Sequence, residues 1–131
     1  MSGDTYLTTL LQSMNPKLDE EEYVFCSVAI EQLPTLNVTP ICQFREVEGV
    51  TLIITKNQAE EANLEYDCVF KMISLLVHSS LEAVGFLAAI TTKLAENNIS
   101  VNAVSAYYHD HLFLPVSKAK QAMYILHSMS R

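Results

Sequence analysis

Several polar residues in the second half of the chain have the chemistry to hold a small ligand. Ser79 and Ser80 follow an apolar run, and Asp110 lies in a polar segment between two further apolar runs. An aspartate there can receive an amino or guanidinium group of a ligand, or it can form a turn by hydrogen bonding to its own backbone. Ser105 is polar in an otherwise apolar segment and can bind a ligand or pair across a sheet.

Gly85 falls inside a segment that we predict to be helical. Glycine in a helix costs about 0.5–1 kcal/mol relative to alanine, so some benefit should offset this cost. One explanation is room for a ligand carboxylate at the helix N-terminus, where the helix dipole favours it by about 0.3–1 kcal/mol. The other is close packing of helix and sheet without a ligand. On the first explanation, leucine at this position abolishes binding at a modest cost in stability.

The histidines and cysteines do not predict a metal site. His109 and His111 are two residues apart and point the same way on a strand, near Asp110 or His78, but zinc needs a further convergent ligand. The cysteines lack the paired spacing of a disulfide framework or a zinc site; they are Cys26, Cys42 and Cys68. No Ser-His-Asp arrangement or phosphate-binding glycine loop occurs. We therefore predict a non-catalytic protein with no metal and no cofactor.

The elements that position these residues follow from the periodicity of apolar residues. Residues 69–77 are almost all apolar, which predicts a buried strand. Ser79 with Glu82 three residues later forms a capping-box pattern, so we expect a helix from Ser79 to the Asn97-Asn98 pair. Residues 99–107 and 112–116 alternate as two strands, and Ser117 should cap a second helix.

This order, β-α-β-β-α, is most of a ferredoxin-like unit, an α+β fold with an antiparallel sheet and helices on one face. A fourth strand is missing. The first half contains weaker signals for the same elements. They predict a helix at 5–14, an acidic connector at 18–22, a strand at 23–29, a proline-containing loop at 32–40, a hairpin at 41–55 that turns at Gly49, and a short helix capped by Asn57.

An internal repeat relates the two halves. Residues 52–62 align without gaps with residues 112–122, whereas Val24-Phe25 aligns with Val69-Phe70 at a shorter offset. The first copy therefore lacks about one helix, which the loop at 32–40 replaces. We predict a degenerate tandem with domains at 1–66 and 67–131, in which the strands at 23–29 and 69–77 are shared or adjacent in one sheet.

Composition narrows the class of partner. The 131 residues carry a formal net charge of −7, which disfavours nucleic acid as a partner. No apolar run is long enough to span a membrane, and the N-terminus lacks the order of a secretion signal. We expect a cytoplasmic protein with neither nucleic-acid nor membrane partners.

Three segments of the second half resemble the ACT domain family. They are residues 79–87, 94–105 and 109–115. The last of them, with Tyr107-Tyr108, is similar to small bacterial tandem-ACT proteins and to the ACT domains of eukaryotic arginine sensors. The resemblance implies a regulatory module that binds an amino acid or a similar metabolite. The residues expected to bind it are Ser79, Ser80, Leu81, Val84, Gly85, Phe86, Ser105 and Asp110.

Two hypotheses for function follow. The first is a stand-alone sensor whose ligand lies between residues 79–86 of one unit and a strand of another. The second is a ligand-free interaction or oligomerisation module. Either should be a homodimer or larger, because the strand at residues 112–115 is expected to be an exposed edge that needs a partner. Calorimetry against amino acids distinguishes the two hypotheses.

Overall fold

The computed structural model describes residues 3–131, with side chains from Tyr6 onward. Helices and strands follow one another in the order that the apolar periodicity predicts. The elements are α1 (Gly3–Gln12), β1 (Pro16–Val28), β2 (Cys42–Arg45), β3 (Val50–Thr55), α2 (Lys56–Glu61), β4 (Phe70–Leu75), α3 (Phe86–Glu96), β5 (Asn102–Ser105), β6 (Asp110–Pro115) and α4 (Ala119–Met129). Short 3-10 turns occur at Leu33–Thr35 and Val116–Lys118.

The strands form one antiparallel six-stranded sheet with helices on one face, in the order β2-β3-β1-β4-β6-β5. The predicted α+β, ferredoxin-like architecture is confirmed, and so is the adjacency of β1 and β4. The chain forms two compact units. Unit 1 comprises the residues up to Glu20 together with Lys71–Arg131, and unit 2 comprises Glu21–Phe70.

In unit 1 the first residues of β1 supply the fourth strand that the sequence pattern lacks. β1 lies beside β4, and the Lys71 Nζ donates to the Glu20 carbonyl at 2.8 Å. The acidic connector predicted at 18–22 is therefore wrong, because these residues belong to β1. The core packs between the sheet and the helices; its fully buried members include Met14, Ile73, Leu75, Ile90, Leu94, Leu112, Leu114, Ala122 and Leu126.

Unit 2 has the same hairpin as unit 1, sixty residues earlier in the chain. β2 and β3 pair with Arg45 opposite Val50, and β5 and β6 pair with Ser105 opposite Asp110. A Cβ on Gly49 would lie 2.8 Å from the Val28 carbonyl oxygen, so this turn requires glycine. Residues 32–40 contain a 3-10 turn in place of a first helix, as predicted. The core of this unit is Val24, Cys26, Val28, Val50, Leu52, Ile54 and Ala59.

Three predicted helix caps are wrong. The α3 helix begins at Phe86 after Gly85, whereas the Ser80 Oγ accepts from the Glu82 amide at 3.0 Å in a local turn. Thr55, not Asn57, caps α2 through its side chain, and Lys118, not Ser117, precedes α4. Serine and asparagine oxygens serve turns as well as helices, so their presence alone does not locate a helix start.

Candidate functional site

A cleft in unit 1 lies between the loop that precedes α3 and the β5–β6 hairpin. Its volume is about 150 Å³. The side chains around it are hydroxyls, one carboxylate and small or apolar groups; they are Ser79, Ser80, Leu81, Ala83, Phe86, Leu87, Ser105, Ala106 and Asp110. Such a mixture suits a small ligand that has both an apolar and a charged part.

Asp110 is the charged group of this cleft. It is the first residue of β6 and is only 6% exposed. Its Oδ1 accepts a hydrogen bond from the Ser105 hydroxyl at 2.6 Å, and its Oδ2 accepts one from the Ser79 hydroxyl at 3.2 Å. No lysine or arginine within residues 3–131 forms an ion pair with it. The cleft therefore holds a buried carboxylate that forms no ion pair with a lysine or an arginine in the described part of the chain.

The structure brings six of the eight predicted site residues together. Ser79, Ser80, Leu81, Phe86, Ser105 and Asp110 line the cleft. Val84 and Gly85 do not line it, and Val84 is 87% exposed. The sequence analysis did not include Ala83, Leu87 and Ala106, which also line it. In the sequence, only their positions next to predicted site residues could have indicated that these three residues line the cleft.

The geometry of Gly85 offers a further explanation for this glycine. Its φ is +91°, a region that residues with a side chain rarely adopt, and it directly precedes α3. A Cβ there would meet the Leu7 Cδ2 at 3.7 Å, an ordinary contact distance. The backbone conformation, rather than lack of space, therefore demands glycine, and it ends the loop so that α3 begins at Phe86.

The histidines near the cleft form an aromatic group without a metal-binding arrangement. The His78 and His109 rings are 5.0 Å apart, and the His109 and His111 rings are 6.3 Å apart, measured between centroids. Within residues 3–131 no three His, Cys, Asp or Glu side chains converge as metal ligands. His111 instead shares a hydrogen bond of 2.7 Å with the buried Ser74 hydroxyl through its Nδ1.

His111 should make stability depend on pH. Burial, and after it the charge of His109, lowers the pKa of His111 below its ordinary value of 6.5, against an opposing effect of Asp110. The unfolded chain then binds a proton more readily than the folded one, so this residue's contribution is complete above about pH 6.5 and is lost as the pH falls through the lowered pKa.

We expect His111→Gln to flatten the decrease in unfolding free energy between about pH 7.5 and pH 5. Urea titrations at several pH values measure it. The control is His127→Gln, since His127 is exposed on α4. Equal pH slopes for the two variants would show that His111 does not contribute in this way.

Comparison with protein families identifies the fold. An ACT domain model matches residues 2–71, and a second ACT domain model matches residues 67–128. The chain belongs to the ACT domain family. The two ACT domains support a regulatory, ligand-binding role, and tandem ACT domains are not catalytic. No helix within residues 3–131 is long and apolar enough to cross a membrane. Among curated proteins, none matches the chain.

Solved structures give the same architecture. A Vibrio cholerae protein of unknown function, described as a possible transport protein, is 45% identical, with a TM-score of 0.86 over 99% of this chain and 100% of that one. The regulatory subunit of aspartate kinase from Thermus thermophilus is 11% identical, with a TM-score of 0.69 over 89% and 97% of the two chains. A protein from Agrobacterium tumefaciens is 12% identical, with a TM-score of 0.68 over 88% and 87%. The last two likenesses concern the fold alone.

Proposed function

We propose that this tandem ACT protein is a sensor of a small amino acid-like metabolite that carries a cationic group, and that Asp110 binds this group. The observation that carries the proposal is the burial of the Asp110 carboxylate in a cleft without a basic partner. A buried carboxylate is costly unless hydrogen bonds and an opposite charge compensate it. Ser79 and Ser105 supply the hydrogen bonds, and a ligand ammonium or guanidinium group supplies the charge.

The rest of the cleft suits the remainder of such a ligand. Leu81 is 66% exposed at its rim, and Phe86 is buried at the start of α3. The volume of about 150 Å³ is below the range typical of drug-sized ligands and is adequate for a small metabolite. Arginine and lysine carry a guanidinium or ammonium group at the end of the side chain, which can pair with a buried carboxylate. We therefore propose a basic amino acid as the ligand.

The proposal includes a homodimer or larger assembly. The free edge of unit 1 is β5, since the order of strands places β6, predicted to be the edge, between β4 and β5. A strand edge is a template for pairing with another chain. Ser105, the last residue of β5, also lines the cleft, so a second copy paired along β5 would lie next to the ligand. We also propose a domain boundary near residues 66 and 67 and a cytoplasmic location.

A thermal-shift and calorimetry screen tests the ligand proposal. We expect arginine or lysine to bind saturably and to raise the Tm, because a ligand that binds only the folded state stabilises it by about 2.7 kcal/mol at a hundred times its Kd. Matched controls are citrulline, which is nearly isosteric with arginine but uncharged, and glutamate. Citrulline keeps the α-ammonium group, so binding of citrulline as tight as that of arginine would contradict a cationic side chain as the group that Asp110 binds. No binding by any amino acid, with an oligomer retained, would favour the ligand-free interaction module.

A further inference from the structure

We propose that β2 and the cleft beside it, both in unit 2, form a docking surface for an extended, basic segment of a partner protein. We call these residues, Ala29–Glu31 and Ile41–Val50, the β2 surface. Within residues 3–131 β2 pairs with β3 alone, because it stands at one end of the strand order. Alternate backbone groups of an edge strand point outwards, where a partner strand can pair with them.

Exposed apolar side chains surround this free edge. Phe44 on β2 is 68% exposed, and Val47 in the following turn is completely exposed. Ile41 and Ile30 are 49% and 46% exposed. Native edge strands are usually protected by charge, proline or a covering element. β2 is short and carries the charge of Arg45, but Phe44 beside it is largely exposed, and an exposed aromatic side chain is typical of an interface anchor.

A second cleft adjoins the edge, with a volume of about 280 Å³. Its charged residues are Glu31, Glu46, Glu48 and Arg45, so its charge is negative. The Glu46 Oε1 accepts from the Thr51 hydroxyl, whereas Glu31 and Glu48 are exposed to solvent. A lysine or arginine side chain of a strand paired with β2 would find three carboxylates within this surface.

The charge of the whole unit favours the same partner. Glu21–Phe70 contains nine of the fifteen acidic residues and two of the eight basic ones, so it carries the entire net charge of −7 and unit 1 is neutral. Such a field speeds the association of basic partners and repels acidic ones. Charge complementarity therefore identifies the occupant as basic.

This surface is not a second copy of the ligand cleft. The two hairpins align in sequence at an offset of sixty residues. Val50 therefore corresponds to Asp110, and Arg45 corresponds to Ser105. The buried carboxylate and its serine donor are thus replaced by an apolar residue and a cation. Unit 2 has an edge strand but not the groups that would hold a cationic metabolite, so the proposal stands whether or not unit 1 binds an amino acid.

The test uses the whole chain and three fluorescein-labelled hexapeptides: alternating Lys-Val, alternating Glu-Val, and the Lys-Val peptide with N-methylated valines. We expect the fluorescence anisotropy of the Lys-Val peptide to rise to saturation as protein is added, with an affinity that decreases as salt is added. The NMR signals of the Cys42–Arg45 amides should shift when this peptide binds. The Glu-Val peptide should not bind. N-methylation should weaken binding because it removes the donors that pair with β2.

Matched variants locate the site. Two variants should each decrease the affinity for the Lys-Val peptide about tenfold. One is Phe44→Ser, and the other is the double variant Glu31→Lys with Glu48→Lys. Tyr124→Ser removes an aromatic ring that is 69% exposed on α4 and should leave binding unchanged. Glu61→Lys changes the charge on α2, outside the β2 surface, and should weaken binding much less than the double variant. Shifts confined to β5, equal binding of the Glu-Val peptide, normal binding by Phe44→Ser, or no binding at about 1 mM would each overturn the proposal. So would a dimer that Phe44→Ser dissociates, since the occupant would then be a second copy.

Discussion

Replacement of Asp110 by asparagine should abolish binding of a cationic amino acid while the protein stays folded. The carboxylate is 6% exposed, so a bound ammonium or guanidinium group would be desolvated beside it. Loss of one charge from a desolvated pair weakens binding by about 2–5 kcal/mol, which corresponds to at least a thirtyfold increase in Kd. Calorimetry with arginine and lysine measures this change.

The stability of the unliganded Asp110→Asn variant should be close to that of the wild type. The amide oxygen still accepts a hydrogen bond from Ser79 or Ser105, and the variant no longer buries a carboxylate that lacks a lysine or arginine partner among the described residues. Asp67→Asn, which also removes one carboxylate but at an exposed position of unit 2, should leave binding unchanged. Ser105→Ala should weaken binding less than Asp110→Asn, because it removes one neutral donor. Wild-type affinity in Asp110→Asn would show that the cation binds elsewhere.

Replacement of Gly85 by valine should lower the free energy of unfolding by about 1–3 kcal/mol. The physical reason is the backbone φ of +91°, which a β-branched residue adopts only under strain. The space at the Cβ position is sufficient, so the loss should arise even though no neighbour is crowded. Urea unfolding at neutral pH measures the loss, and Gly85→Asn should lose less because asparagine tolerates positive φ better.

The control for this variant is Ala88→Val, a valine at an exposed position of α3. This substitution should lower the free energy of unfolding by at most about 0.7 kcal/mol, because valine has a lower helix propensity than alanine and the backbone stays helical. A loss in Gly85→Val no larger than that in Ala88→Val would show that the glycine is not required for its φ. Ligand binding should weaken in Gly85→Val, because the loop that carries Ser79, Ser80 and Leu81 into the cleft ends at this residue.

Local pattern was sufficient to predict the hairpins and the core of the second half. Leu112 and Leu114 alternate on β6, Ala122 and Leu126 recur at helical spacing on α4, and all four are fully buried. Asn98, predicted as a left-handed exit from a helix, has a φ of +60°. These features depend on residues within a few positions of one another, so the order of residue types contains the necessary information.

The starts of helices were harder to predict because the same residue types, serine and glycine, occur both at helix starts and in other turns. Ser79 followed by Glu82 matched a capping box, yet the Ser79 hydroxyl donates to Asp110, thirty-one residues away. Gly85 was interpreted as a glycine within a helix, and it is instead the residue that precedes one. The competing partners were distant in sequence, so no local rule could choose among them.

The sequence by itself determined the α+β class and the repeat of sixty residues, because each depends on local periodicity or on the order of residue types. Six of the residues predicted to bind a ligand line the cleft of unit 1, and their role stays a prediction. The tertiary structure alone decided that residues 16–20 complete the sheet of unit 1, where Lys71 contacts Glu20 across fifty-one positions of sequence. It alone decided that Asp110 is buried with two serine donors. Strand pairing and burial bring together residues that are far apart in the chain, and the pattern of one segment does not specify its distant neighbour.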